Sequence, residues 1–162
     1  MPILHIQYDS QVVQTPNGQS IQIPPSQVLL QRGACVQVIF GIAQIFADQL
    51  LQQGQTLPQP VSGIALIDTG ASSTCIDESL AQQMNLPAID VVQMMSASHD
   101  ATPTNVYPIQ MQVIGTPIRV EVPRALGATL ATQGYIALIG RDFLQHCTLF
   151  YNGISGEMTL SI

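Results

Sequence analysis

Apolar and polar residues alternate over short stretches of this chain, and a period of two is typical of half-buried β-strands. Residues 4–8 and 20–23 alternate in this way, and Pro16, Asn17 and Gly18 form a turn signal between them. We therefore predict a β-hairpin from these two segments, with Val12 and Val13 in its first arm. Residues 118–122 also alternate cleanly and predict a half-exposed strand.

Longer apolar stretches rich in β-branched residues predict buried strands at residues 34–40, 61–67 and 135–139. Helical spacing of apolar residues predicts short helices at 43–53 and 142–146, and Asp77 is a good N-cap for another at 78–84. The predicted class is therefore mainly β with two or three short helices. Further strands are expected at residues 74–76, 89–95, 106–114, 147–151 and 157–162, and a loop at 123–133.

The composition restricts the kinds of partner that the chain can bind. Its 162 residues are 46 % hydrophobic and 9 % charged, with a net charge of −6, four arginines and no lysine. Nucleic acids and anionic membranes bind clustered positive charge, so both are poor partners. The three cysteines have no framework spacing and are expected to be reduced and buried. With no signal peptide or membrane-spanning segment visible, we expect a soluble, cytoplasmic protein.

The most unusual position is Asp68, where the apolar run 61–67 ends. A carboxylate at the end of a buried strand loses hydration, and a purely structural protein seldom places one there without a partner. Gly70 lets the backbone approach its neighbours closely, and the hydroxyls of Thr69, Ser72 and Thr74 can hold the loop by local hydrogen bonds. Asp68 therefore reads as a strand-end carboxylate that needs a partner.

Two segments of the chain resemble one family. Ile67-Asp68-Thr69-Gly70-Ala71-Ser72 resembles the Asp-Thr-Gly-Ala/Ser signature of aspartic proteases. Residues 137–144, Ala-Leu-Ile-Gly-Arg-Asp-Phe-Leu, are similar to the Gly-Arg-Asn/Asp segment near the C-terminus of retropepsins. A single copy of the signature resembles the retropepsin-like, single-domain group. The resemblance covers residues 34–162, so residues 1–33 are expected to be an N-terminal β-hairpin extension packed on or leading into the domain.

The resemblance implies a closed β-barrel of the acid-protease fold with one Asp-Thr-Gly lobe per chain. It implies a homodimer without cofactor or metal, in which each chain supplies one Asp68. The C-terminal strand 157–162, with residues 3–8, would build the dimer sheet. Thr69 would hydrogen-bond across the two-fold axis, and Gly70 would place a backbone amide near the carboxylate. The residues expected to support the catalytic loop are Thr69, Gly70, Ala71, Ser72, Gly140, Arg141 and Asp142.

The resemblance also places a flap, a hairpin that closes over substrate, at about residues 92–110. Leu66 and Ala71 are expected in an apolar cleft, and the insertion at about 42–58 is expected to be a surface helix or a partner-binding arm. Ser72 and Ser73 stand where retroviral members have Asp, and the flap tip is polar where theirs is rich in Gly. The residues expected to contact substrate from flap and cleft are Met94, Ser96, Ala97, Ser98, His99 and Ile136.

These observations favour an aspartic endopeptidase that hydrolyses peptide bonds of a peptide or protein substrate through an Asp68-activated water. One alternative is a retropepsin-fold module that dimerises or binds peptides but cleaves weakly or not at all. Another is a metal-dependent hydrolase using Asp68, His99 and His146, although paired ligands one helical turn apart are lacking.

Overall fold

The fold is dominated by β-structure, as the sequence predicts. The computed structural model describes residues 2–96 and 99–162, and within them it contains short helices between twelve strands. In chain order the elements are β1 (Ile3–Gln7), β2 (Gln11–Gln14), β3 (Ser20–Ile23), α1 (Pro25–Arg32), β4 (Cys35–Ile42), α2 (Gln44–Gln52), β5 (Val61–Ile67), β6 (Cys75–Asp77), α3 (Glu78–Gln83), β7 (Asp90–Ser96), β8 (His99–Val113), β9 (Arg119–Ala128), a 3-10 turn (Ala131–Gln133), β10 (Ala137–Ile139), α4 (Arg141–Leu144), β11 (Thr148–Asn152) and β12 (Glu157–Ser161).

Six strands close on themselves into a barrel in the order β4-β5-β10-β6-β9-β8, and β8 pairs again with β4. The pairs β5–β10 and β6–β9 are parallel, and the other four are antiparallel. β7 lies outside this circuit, and among the described residues it pairs with β8 alone. The expectation of a mainly β, closed-barrel fold is confirmed.

The barrel interior is filled by alternate residues of each strand. Ala65 and Ala137 are fully buried side by side, and Ile67 and Ile139 form the next layer toward the ends of β5 and β10. Burial of each such isoleucine contributes about 1.5–3 kcal/mol. Because strand residues alternate between faces, the intervening residues of β5 point out of the barrel. This alternation determines which side chains of β5 lie on the same outer face as Asp68.

The N-terminal pairing differs from the prediction. β1 pairs with β12, and the hairpin is formed by β2 and β3 around the predicted turn. Leu4 and Ile6 join the core cluster that contains Met158 and Leu160. A hairpin with residues 20–23 would not give β1 this apolar partner. The helix α1 is an element that the sequence reading missed, although Pro25 at its first turn and Gly33 at its end are common helix boundaries.

Three strands form a second sheet in the order β1-β12-β11. β12 is therefore paired along both edges within the chain. The expectation that the C-terminal strand, with residues 3–8, builds a dimer sheet stays a prediction. These two segments do share a sheet, but β12 has no free edge, so a second copy would have to pair elsewhere on that sheet.

Two loop predictions are also wrong in part. β9 continues to Ala128, through the predicted loop at 123–133. A register shift opposite Tyr107 and Ile109 gives β9 one extra residue, and such a bulge accommodates Pro123. β8 begins at His99, so residues 99–104, predicted as a polar tip, are in a strand.

The predicted insertion contains α2, which is followed by a segment without regular structure that leads to β5. Ala47 is buried, and the remainder of α2 is half-buried or exposed. No helix in the part of the chain that the structure describes is long and apolar enough to cross a membrane.

Candidate active site

Asp68 follows β5 directly and lies beside the end of β10. Its backbone N–H donates to the carbonyl of Ile139 at 3.0 Å, and its side chain is half-buried. The backbone N–H groups of Gly70 and Ala71 donate to its Oδ1 at 2.8 and 3.2 Å. A Cβ at position 70 would lie 3.1 Å from Oδ1, tighter than most contacts of that kind, so glycine suits this position. The turn thus fixes the direction of the carboxylate.

The far side of the loop is held by Asp142. Its Oδ1 accepts a hydrogen bond from the hydroxyl of Thr74 at 2.7 Å, and the N–H of Thr74 lies 2.9 Å from both carboxylate oxygens. The hydroxyl of Thr74 in turn accepts the N–H of Gly140 at 3.2 Å. Thr74 is fully buried, so these bonds satisfy polar groups that water cannot reach.

Gly140 is required by close packing. A Cβ there would lie 2.5 Å from the carbonyl carbon of Ser73 and 2.8 Å from the nitrogen of Thr74. The absence of a side chain lets α4 approach the loop, and the N–H groups of Arg141 and Asp142 donate to the carbonyls of Ala71 and Ser72. The two segments that carry the sequence resemblance therefore form one hydrogen-bonded unit.

Arg141 binds the turn itself. Its Nη1 donates to the carbonyls of Thr69 and Gly70, both at 2.8 Å. Those two carbonyls belong to the same turn that presents N–H groups to Asp68. Arg141 therefore braces the Asp68 turn from outside. The role predicted for it in support of a catalytic loop stays a prediction. Neither Ser72 nor Ser73 provides a carboxylate for it.

The outer face of β5 and β10 next to Asp68 is apolar. Leu66 pairs with Leu138, and both are half-buried because their neighbours along each strand point into the barrel. Ile136 precedes β10, and its side chain packs over Gly63 and against the core cluster. The sequence reading named Leu66 and Ile136 but missed Leu138. The alternation of β10 around buried Ala137 and Ile139 would have identified it.

A cavity of about 660 Å³ lies beside the catalytic loop, between it, α4, β7 and β9. Ser72, Ser73 and Met94 line it, and Val122 and Phe143 are its buried members. β7 and β8 form a hairpin in which Met94 pairs with Thr102 and Ser96 with His99. Of the predicted flap residues, Ala97 and Ser98 lie outside the described residues. The roles predicted for Ser96 and His99 remain predictions.

Neither a cysteine nucleophile nor a metal site is supported by the described residues. Burial, with repulsion from the carboxylates of Asp142 and Asp68, raises the pKa of the Cys75 thiol to about 11, so it is a poor nucleophile. Among the described residues, no group of three or more His, Cys, Asp or Glu side chains could hold a metal ion. The alternative metal site also needs His99, whose side chain is outside that description.

Comparison with known proteins identifies the family. The family model described as "gag-polyprotein putative aspartyl protease" matches residues 60–146, which include both the Asp68 loop and α4. The chain belongs to this retropepsin-like family of aspartyl proteases.

A search of curated proteins found no match. Among solved structures, the chain resembles a retropepsin-like aspartic protease from Rickettsia conorii with a TM-score of 0.43 and 10 % identity, over 99 % of this chain and 92 % of that one. A likeness at this level adds nothing to the family match.

Proposed function

We propose that this protein is an aspartic endopeptidase whose active site is shared by two copies of the chain. The observation that carries the proposal is the Asp68 carboxylate, half-buried at a strand end with Oδ1 held by two backbone N–H groups. Within the described residues, Oδ2 receives no hydrogen bond, so it is available to a water molecule or to a second carboxylate. The family match supports the same reaction class.

One carboxylate cannot easily act as base and acid in the same step. Two copies of Asp68 facing each other across a two-fold axis can, because carboxylates about 3 Å apart do not both ionise and so share one proton. The ionised member takes a proton from a water held between them, and that water attacks the peptide carbonyl carbon. The protonated member hydrogen-bonds the carbonyl oxygen and helps to protonate the leaving amine.

The surroundings of Asp68 suit an extended peptide with apolar side chains. Leu66 and Leu138 offer an apolar face beside the carboxylate, and Met94 offers a flexible apolar contact from the flap side. An extended peptide bound there would be held by main-chain hydrogen bonds, with alternate side chains in pockets. Because Ser72 and Ser73 are uncharged, these contacts would be neutral hydrogen bonds. We assign Ile136 to the same cleft.

The test is cleavage of a diverse peptide library, with products identified by mass spectrometry. Asp68→Asn should lose at least about 10³-fold in kcat/KM, because the amide cannot act as the base. Asp48→Asn is the matched control, since Asp48 is an exposed carboxylate on α2 whose side chain, within the described residues, is hydrogen-bonded to Gln44 alone. Equal cleavage by wild type and Asp68→Asn would overturn the mechanism. A wild type that binds peptides without cleaving them would identify a binding module instead.

The shared site can be tested by dilution. Activity per chain should fall as the protein is diluted below its dimerisation constant, because a lone chain has one carboxylate. Specific activity that stays constant while sedimentation shows monomers would contradict the shared site.

A further inference from the structure

A cavity of about 510 Å³ lies against the outer face of β4 and β5, on the side where β1 ends. Its walls include the apolar side chains of Ile6 and Ile64 and the aromatic residues Tyr8 and Tyr135. Arg32, the last residue of α1, also lines it, and no other charged residue in the described part of the chain does. This Arg32 cavity therefore combines apolar walls with one positive charge, and a few polar groups in an apolar pocket are typical of a binding site.

The Arg32 cavity continues the apolar face beside Asp68. Ile64 precedes Leu66 by two residues on β5 and so lies on the same outer face. Cys35, which also lines the cavity, pairs with Leu66 across β4 and β5, and directly opposed residues share a face as well. A Cβ at position 33 would be 2.6 Å from Leu66 Cδ1, so the side chain of Leu66 lies over Gly33. One continuous surface leads from Asp68 past Leu66 to the cavity.

The distance along this surface relates the cavity to a bound peptide. Leu66 and Ile64 come two and four residues before Asp68. These separations are about 7 and 13 Å along an extended strand. An extended peptide has the same rise per residue. With its scissile carbonyl at Asp68, a peptide lying along this face therefore brings a side chain two to four positions away to the cavity.

Hydrogen bonds from two tyrosines hold the cavity walls together. The hydroxyl of Tyr8 donates to the carbonyl of Gly33 at 2.9 Å and accepts the N–H of Cys35 at 3.0 Å. The hydroxyl of Tyr135 donates to the carbonyl of Arg32 at 3.1 Å. These bonds join the end of β1, the end of α1, the start of β4 and the segment before β10. The walls are thus formed before a ligand arrives, which lowers the ordering cost of binding.

The side chain of Arg32 is available to a ligand. Arg119, Arg124 and Arg141 each donate to an oxygen atom within the described residues, whereas the Arg32 guanidinium has neither a hydrogen bond nor an ion pair there. Burial raises the pKa of Tyr8, and the positive charge of Arg32 acts in the opposite direction, which places the guanidinium near the Tyr8 hydroxyl in the cavity wall.

A carboxylate is the group that suits this arrangement. The planar guanidinium donates parallel hydrogen bonds to the two oxygens of a carboxylate, and such charge-assisted pairs are stronger than bonds to a neutral amide. The apolar walls would contact the methylene groups of a glutamate side chain. A lysine side chain would instead bring a second positive charge beside Arg32 and be repelled.

Taking the proposed endopeptidase activity as given, we propose that the Arg32 cavity is a subsite for an acidic side chain of the peptide substrate. The acidic residue lies two to four positions from the scissile bond, and Arg32 is the residue that selects it. The substrate class is therefore a peptide with apolar residues next to the scissile bond and a glutamate further along. Because Ser72 and Ser73 are uncharged, Arg32 is the charged residue that supplies this preference.

The test is cleavage of peptides that differ only in having Glu, Gln or Lys at one position, scanned along both sides of a bond that the wild type cuts. Glu should exceed Gln by about 3- to 10-fold in kcat/KM two to four positions from that bond. The difference should lie mainly in KM, because Arg32 binds a group away from the reacting atoms. Arg32→Gln should abolish the preference for Glu, and Arg32→Glu should reverse it in favour of Lys.

Arg119 provides the matched control, because Arg119→Gln and Arg119→Glu change the net charge equally. Arg119 is exposed at the start of β9 and does not line the Arg32 cavity. Both Arg119 variants should keep the preference for Glu, and circular dichroism verifies that all four variants fold. A wild type without the preference would overturn the proposal. So would a preference that survives Arg32→Gln, or one that Arg119→Gln removes to the same extent.

Binding in an Asp68→Asn background measures the subsite without reference to catalysis. The chain contains no tryptophan, so one Trp in each peptide reports binding by its own fluorescence. Pools of random apolar peptides with a single Glu should bind about 3- to 10-fold more tightly than the matched Gln pools, and Arg32→Gln should remove the difference. If this result is obtained but the wild type cleaves nothing, the proposed function fails and the subsite stands. If the wild type cleaves but Glu and Gln pools bind equally, the subsite fails and the proposed function stands.

Discussion

Asp142 holds Thr74 through both of its carboxylate oxygens, and Thr74 has no exposed surface. This contact joins the start of α4 to the strand that leaves the catalytic loop. It explains why residues 67–72 and 137–144, which are far apart in sequence, together resemble the aspartic protease family. A change on either side alters the position of the other, and through it the turn at Asp68.

Asp142→Ala should destabilise the protein by about 2–4 kcal/mol, because it leaves the N–H and hydroxyl of Thr74 buried without an acceptor. Asp142→Asn keeps one acceptor oxygen and should cost less. Urea denaturation followed by circular dichroism measures both. Asp48→Ala, at an exposed carboxylate, is the control. Equal urea midpoints for Asp142→Ala and Asp48→Ala would show that the hydrogen bonds between Asp142 and Thr74 contribute little to stability.

Gly140→Ala should be among the most damaging single-methyl additions in the chain. The new Cβ would meet the backbone of Ser73 and Thr74 at 2.5–2.8 Å, and backbone atoms cannot rotate away as a side chain can. We expect the free energy of unfolding to fall by about 3 kcal/mol or more, which is at the upper end of the cost of overpacking. We also expect cleavage to be lost.

Gly41→Ala is the matched control for that change. A Cβ at position 41 would meet the ring of Pro60 at 3.6 Å, an ordinary contact. Its free energy of unfolding should change by less than about 1 kcal/mol. If both variants unfold at the wild-type urea concentration, α4 is not packed on the loop as described.

Arg141 should affect turnover more than stability. Its side chain is exposed, but it binds the carbonyls of Thr69 and Gly70 in the turn that orients Asp68. Arg141→Ala should lower kcat by about 10- to 100-fold through misplacement of the carboxylate, with KM nearly unchanged. The kcat of Arg141→Lys should lie between that of wild type and that of Arg141→Ala. A rise in KM at constant kcat would instead indicate that Arg141 contacts substrate.

The parts of the site that could be predicted from sequence are those fixed by local residues. Asp68, Gly70 and the Gly140 segment have roles set by short-range backbone geometry, and the alternation of β5 placed Leu66 on the open face. The pairing of β1 with β12 could not be predicted in this way, because it joins residues at least 150 positions apart. The turn at Gly18 indicated a hairpin correctly but not which strands form it.

The course of β9 through Pro123 shows a second limit. Proline locally disfavours a central strand, but a bulge and partners on both sides of β9 maintain the pairing. Tertiary contacts therefore decided the structure here. The same is true of β11, where the sequence predicted a strand and only the sheet order showed that no strand of the described residues pairs with its outer side.

The last prediction concerns Asp77, which is buried and whose carboxylate joins three elements. Its Oδ1 caps α3 by accepting the N–H groups of Ser79 and Leu80, and its Oδ2 accepts those of Leu130 and Ala131 at 2.9 and 2.8 Å. Burial alone would raise its pKa, but the hydrogen bonds from the Ser79 side chain and these backbone groups favour the charged form and lower the pKa overall.

A lowered pKa means that Asp77 stabilises the fold most above its unfolded value of about 3.9, and that this stabilisation is lost as the pH falls through the folded pKa. Asp77→Asn cannot accept hydrogen bonds on both sides and should cost about 1–3 kcal/mol at neutral pH. The difference from wild type should shrink below about pH 4, where the wild-type carboxylate is increasingly protonated. Urea denaturation at a series of pH values measures it, and two parallel stability curves would contradict the assignment.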